Sequence, residues 1–204
     1  YYKGEYIKRD INKAIYYLSL AANQNDASAQ FFLGFIYSDS EYIKRDINKA
    51  IYYYSLAANQ NYAYAQFELG KYYLHGVFIS KSINKAVYYL YLSAEQGDND
   101  ARFLLGVIYS SFEYVKRDMD KAIHYYKEAS SFNHSRAKNN LAIIYKNGYY
   151  TQENLWYAIE LLKEAVNLND KLAMYNLSHL YFFENGIDSN IEIIIDLLLK
   201  FDLF

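Results

Sequence analysis

"EYIKRDINKAIYY" occupies residues 5–17 and returns unchanged at residues 41–53, 36 positions later. Around it the match widens: residues 5–25 and 41–61 differ only at Leu18 versus Tyr54. A fixed period of this length outranks chain length as a guide to architecture, so the 204 residues are read as an array of one structural unit. Identity that extends to surface positions, which folding does not constrain, marks a recent duplication.

Aligned on itself at this period, the chain shows columns with physical meaning. Lys-Ala pairs recur at Lys13/Ala14, Lys49/Ala50, Lys85/Ala86 and Lys121/Ala122, and Ala158 continues the Ala column. A second Ala column runs through Ala29, Ala65, Ala101, Ala137 and Ala173. Small residues at fixed helical positions let two backbones approach and mark helix crossings. Leu33, Leu69, Leu105, Leu141 and Leu177 are each followed by a small residue and, four positions on, by Tyr37, Tyr73, Tyr109, Tyr145 and Tyr181. That spacing puts Leu and Tyr on one helix face.

The punctuation is equally regular. Asp10, Asp46, Ser82, Asp118, Asn154 and Asn190 precede the second helix of each unit, and all are N-cap residues able to accept an orphan backbone N–H. Asn25, Asn61, Gly97, Asn133 and Asn169 follow it, and these residue types tolerate the left-handed conformation that closes a helix. Each unit therefore reads as helix A (26–38 in the first full copy), a loop, helix B (46–60) and a tight turn. Five A and six B helices are expected. A lone hairpin cannot bury its apolar face, so the units must stack into an all-α solenoid.

Composition bounds the function. Hydrophobic residues at 53% and charged residues at 22% exclude compositional disorder. There is no Pro, and 27 Tyr supply large rings with polar tips, which suits long uninterrupted helices. The net charge of −2 lacks the basic excess a nucleic-acid binder needs to neutralise phosphates. With no Cys, disulfides, Cys-ligated zinc and thiol nucleophiles are excluded. No run reaches the roughly 18 apolar residues of a membrane span. The chain opens on Tyr-Tyr rather than Met and is read as a piece of something longer.

These columns resemble the Sel1-like repeat (SLR), a relative of the tetratricopeptide repeat. The stretch "AQFELGKYYLHGVFISKSINKAVYYLYLSAEQG" (65–97) carries that family's A-x-x-x-L-G-x-x-Y and K-A-x-x-Y pattern. The 16-residue step from Gly34 to Ala50 is about four longer than in the tetratricopeptide unit. The loop glycine stands at Gly4, Gly76 and Gly148 but is replaced by Ser40, Phe112 and Glu184, and the cysteine pairs of one bacterial branch are absent. The resemblance implies a single right-handed α-solenoid over 1–204, serving as an adaptor for other proteins.

It also implies that helix A lines the concave surface. The matching phase selects Phe31, Phe67, Phe103 and Tyr175, then Phe35, Lys71, Val107, Ile143 and His179, with Arg136 and Lys146 interspersed. Such a groove of rings, aliphatic side chains and cations suits an extended or helical peptide, although the Phe rings would equally fill the contact with the next repeat. A second candidate is a basic row, Lys8/Arg9, Lys44/Arg45 and Lys116/Arg117, in the loops entering helix B. It would grip an acidic or phosphorylated partner, or is a solvated loop copied by duplication.

Catalytic motifs are missing: no phosphate loop, nucleophile elbow or H-E-x-x-H pair occurs, and the four His share no register. The expectation is a protein-interaction scaffold, not an enzyme, with no cofactor, metal or nucleic acid. The alternative is a regulatory or substrate-recruiting segment of an enzyme whose catalytic domain lies elsewhere. The final helix B, 190–204, is apolar on nearly every side, where a terminal repeat needs a polar face, which predicts self-association or a further packed segment.

Overall fold

The structure is a computed structural model that describes residues 11–39, 43–111, 113, 114, 116–148 and 154–183. These contain ten α-helices. The B helices are α1 (Ile11–Asn23), α3 (Ile47–Asn59), α5 (Ile83–Glu95), α7 (Met119–Ser131) and α9 (Leu155–Asn167). The A helices are α2 (Ala27–Ser38), α4 (Ala63–His75), α6 (Asn99–Ser110), α8 (Ser135–Asn147) and α10 (Lys171–Phe183). The expected sixth B helix, with Asn190 and the apolar stretch 190–204, lies outside the described residues, as do Lys8, Arg9 and Asp10.

The chain forms two compact units, 1–98 and 99–204. In the first, α2 packs on α3 and α4 on α5, with α1 against α2 and α3 against α4. The second repeats the scheme: α6 on α7, α8 on α9, then α7 on α8 and α9 on α10. Both Ala columns form the crossings, and Ala50, Ala65, Ala86, Ala101, Ala122, Ala137, Ala158 and Ala173 are fully buried. The Leu column sits beside them, also buried. Large side chains complete the seam, and three of the leucines are followed by a glycine that makes room for them: a Cβ on Gly34 would lie 2.6 Å from the Tyr54 ring, one on Gly106 2.6 Å from Tyr126, and one on Gly70 2.7 Å from Leu90.

The turns follow the punctuation. Asn25, Asn61, Asn133 and Asn169 adopt φ of 68°, 63°, 61° and 61°, and Gly97 adopts 94°. After each, the next N–H reaches back five residues to a carbonyl, as in Asp26 to Ala21 (3.2 Å) and Tyr62 to Ala57 (3.1 Å). This is the paired closure that satisfies the last carbonyls of a helix. The A-to-B loops close through another repeated bond: the N–H of Asp46, Ser82, Asp118 and Asn154 donates to the carbonyl of Tyr37, Tyr73, Tyr109 and Tyr145. Asp46, Asp118 and Asn154 accept the N–H of Lys49, Lys121 and Tyr157 as N-caps, but Ser82 makes no such bond, contrary to its expected role. Three caps stand at helix A instead: Asp26 on Ala29, His134 on Ala137 and Asp170 on Ala173.

The Lys of the Lys-Ala pairs has a place too. Lys49, Lys85 and Lys121 lie 4.9–5.0 Å over the rings of Tyr37, Tyr73 and Tyr109. The same rings stack on Tyr53, Tyr89 and Tyr125, within 7° of parallel. In the fourth copy Tyr157 occupies the Lys position and packs edge-on against Tyr145 at 4.9 Å.

Superimposed on the 36-residue period is an alternation. The core-facing helix B position reads Leu18, Tyr54, Leu90, Tyr126, Leu162, buried in all but the partly buried Leu18, and the Leu copies are those with the loop glycine, Gly4, Gly76 and Gly148. Where Tyr is used, its hydroxyl meets a serine at the end of the same hairpin's helix A, Ser38 at 3.3 Å and Ser110 at 3.2 Å. Where Leu is used, the described glycines Gly76 and Gly148 end helix A in the left-handed conformation.

Candidate functional site

The candidate groove residues of the first unit are packed among aromatics. Phe31 is half-buried and lies 5.3–5.9 Å from Tyr54, Tyr62 and Tyr64. Phe67 is half-buried under Lys71, whose Nζ stands 4.7 Å from the ring and 2.7 Å from Glu68. Phe35 is exposed. Beneath them runs a polar seam: Gln30 donates to the Ala22 carbonyl and to Asn25 Oδ1, Gln60 donates to Gln30 at 2.7 Å, and Gln66, Asn61 and Gln96 repeat the pattern. These buried amides fasten each helix A to the turn before it.

In the second unit the same positions are more polar. Phe103 stacks on His134 at 4.6 Å, and Val107 is half-buried against the core. Arg102 replaces the seam Gln and lies 5.1 Å from the Phe132 ring, while Lys138, itself buried, pairs with Glu164. Tyr175 and His179 are exposed on α10, and His179 contacts Phe183 at 4.4 Å. Lys146 is half-buried near the end of α8.

A directed chain of hydrogen bonds crosses this unit. Asn176 donates to Asn139 (2.7 Å), Asn139 to Asn140 (3.4 Å), and Asn140 to the Tyr126 hydroxyl (3.2 Å). Ser110 donates to the Val107 carbonyl (3.0 Å), so Tyr126 is the donor in its contact with Ser110. Burial pushes the Tyr126 phenol up, which keeps it the neutral donor this chain needs. With each donor assigned, the carboxamide orientations are fixed.

Asn140 borders two cavities. One, about 580 Å³, lies between Phe103, Arg136, Asn169 and Lys171. The other, about 300 Å³, is walled by Arg117, Met119, Tyr126, Ile143, Ile144 and Asn147. Of the groove candidates, Phe103, Arg136 and Ile143 therefore border these two cavities, whereas Tyr175 and His179 do not.

The basic pairs build similar surroundings in both units. Lys44 and Arg45 border a cavity of about 570 Å³ with Asp46 and Phe78, and Arg45 lies 5.1 Å over the Phe78 ring. Lys116 and Arg117 border one of about 680 Å³ with Tyr109, Asp118 and Lys121. In each the acidic N-cap offsets part of the charge, Asp46 with Lys49 at 3.8 Å and Asp118 with Lys121 at 3.4 Å. The Lys121 N–H holds the Asp118 carboxyl below the usual range.

Sequence reasoning missed Asn140 and Asn147, because at a period of 36 their columns hold mixed residue types, and Met119, because its column of Ile11, Ile47, Ile83 and Leu155 reads only as core. The signal was comparison at 72. It also passed over Tyr52 and Tyr88, exposed by 58% and 57% on the outer face of helix B. Among the described residues no three of His, Asp and Glu converge as metal ligands would, and no helix is long and apolar enough to cross a membrane.

The Sel1 repeat pattern matches residues 1–26, 27–62, 63–98, 99–131, 135–170 and 171–193. The crystal structure of a Sel1 repeat protein from Oxalobacter formigenes is similar at 27% identity and a TM-score of 0.81, over 88% of this chain and 73% of that one. A second, c5321, a protective antigen of uropathogenic Escherichia coli with an SLR fold, gives 24% identity and a TM-score of 0.83 over 93% of this chain, which spans 41% of the antigen. Cysteine-rich protein B of Helicobacter pylori matches at 26% identity and a TM-score of 0.50, over 68% of this chain and 100% of that one. No curated protein matches the chain in sequence.

Proposed function

Because the chain belongs to the Sel1 repeat family, whose members generally serve as interaction scaffolds, we propose that it is a non-enzymatic adaptor holding a protein or peptide on its helix A face. The observation that carries this reading is the open face of α8, where Asn140 borders two cavities lined by aromatic, aliphatic, amide and cationic groups. Such a mixture suits a peptide: apolar side chains fill the Ile143 and Phe103 sides while fixed carboxamides meet backbone groups. The exposed Lys44, Arg45 and Lys116 add positive charge near the mouths of helix B and favour the approach of acidic partners.

Peptides selected from a random display library on the intact chain test the reading. Binding of the selected peptides is expected to fall by about tenfold or more for Ile143→Ser and to be unchanged for Tyr52→Ser, with equal far-UV circular dichroism. The reverse order of effects would move the binding face to the outside of helix B.

A further inference from the structure

The cavity of about 580 Å³ in the second unit is bordered by polar side chains whose hydrogen-bonding roles are mostly settled, and the groups left over are of one kind. Asn139 and Asn140 accept at Oδ1 from Asn176 and Asn139, and each spends one N–H, on Asn140 and on Tyr126. One N–H remains on each amide, and that of Asn139, a buried residue, has no acceptor among the described residues. Asp170, the carboxylate in the wall, accepts the Ala173 N–H at one oxygen (3.0 Å) and the Ser135 hydroxyl at the other (2.9 Å). His134, stacked on Phe103, accepts the Ala137 N–H at Nδ1, so its proton sits on Nε2 and is donated to Asp100 at 3.1 Å. Both carboxylates are therefore engaged, whereas Arg136 and Lys171, exposed at the rim, make no ion pair among the described residues. Comparison at 72 residues shows what changed: Arg136 and Asn139 stand where the first unit has Tyr64 and Phe67. There Tyr64 packs on Phe31 at 5.9 Å and Phe67 lies under Lys71. Two rings have become two donors, and no acid has come with the added guanidinium.

We infer that this cavity takes an acidic side chain of an extended partner peptide. Arg136 and Lys171 supply the opposite charge, and the spare N–H groups of Asn139 and Asn140 supply hydrogen bonds to the carboxylate. Phe103 comes from α6 and Leu172 from α10, the A helices before and after α8 in the chain. They receive apolar side chains two residues before and two after the acid, because alternate side chains of an extended chain share a face. Asn140 borders the 300 Å³ cavity as well, so the groove continues past this site, and a peptide running through it presents a side chain rather than its terminal carboxyl group. Whereas the adaptor reading asks only that helix A bind peptides, this inference, which rests on it, specifies what one cavity recognises.

The test uses the intact ¹⁵N-labelled chain and three acetylated probes: Leu-Gly-Glu-Gly-Leu-amide, its Gln counterpart, and Leu-Gly-Gln-Gly-Leu with a free carboxyl terminus. The glutamate probe is expected to shift the side-chain amide signals of Asn139 and Asn140 saturably, with the glutamine probe weaker by about tenfold. Arg136→Gln and Lys171→Gln should each weaken the glutamate probe by about threefold or more, at unchanged helicity. Lys127→Gln, which removes the same charge from α7 at a position that does not border the cavity, should leave it unchanged. Equal affinity for the first two probes, tighter binding of the free terminus, an equal loss with Lys127→Gln, or no saturable shift overturns the inference. If library-selected peptides still bind and lose affinity with Ile143→Ser, the adaptor reading survives that failure; if none is retained, both fall.

Discussion

At the scale of single residues the tightest constraint is the small position after the column Leu. Gly34 faces the ring of Tyr54, a flat rigid group buried on all sides, whereas Gly70 faces the branched end of Leu90. The fourth copy already holds Ala142 where Leu162 is the ring's replacement, both fully buried. Alanine also gains about 1 kcal/mol over glycine inside a helix. Gly34→Ala is therefore expected to destabilise by about 1–3 kcal/mol and Gly70→Ala by less than 1, read by chemical denaturation of the two variants side by side. The small-residue column was legible in the sequence, but which neighbour each member meets was not, because that depends on a second period hidden beneath the first.

Helix ends tell the same story one level up. The Asn and Gly turns could be read directly: a residue type that tolerates positive φ at a fixed register has few other reasons to recur. The caps were read less well. Ser82 has the right chemistry at the right position yet makes no cap bond, while His134 caps α8 through Nδ1, a ring nitrogen that no cap preference would have singled out. Asp46→Ala is expected to cost about 1 kcal/mol and Ser82→Ala only a few tenths, since the first removes an existing bond to the Lys49 N–H and the second removes none. Thermal unfolding followed at 222 nm distinguishes them. The Lys column is the clearest omission, for a lysine beside a helix-crossing alanine reads as solvated until the ring beneath it is located; each such contact contributes about 0.5–1 kcal/mol.

At the scale of the molecule, hairpin stacking followed from periodicity alone, since every copy presents an apolar face that only a neighbour can cover. The candidate groove did not follow so simply. The register that selects Phe31, Phe67 and Phe103 also selects Asn139, which is buried and hydrogen-bonded to its neighbours, and the rings themselves are half-buried. A column average cannot separate a side chain that lines a cavity from one that fills the seam. What distinguishes the second unit is the pair of exchanges at Arg136 and Asn139, seen when copies two apart are compared.

That comparison has a bearing on how such a gene can grow. The two near-identical segments at the start of the chain differ only at Leu18 and Tyr54, the position that sets the alternation. Unequal crossing-over between copies one apart would place two tyrosine-type hairpins, or two leucine-type ones, in succession, and each ring would then face a surface shaped for the other kind. Exchange between copies two apart keeps every hairpin beside its accustomed neighbour. Excision of residues 63–134 should accordingly leave a cooperatively folding product, and excision of 63–98 a less stable one, as thermal denaturation of the two shortened chains would show. The unit that preserves the packing of this array is the couple, even though its most recent duplication copied a single repeat.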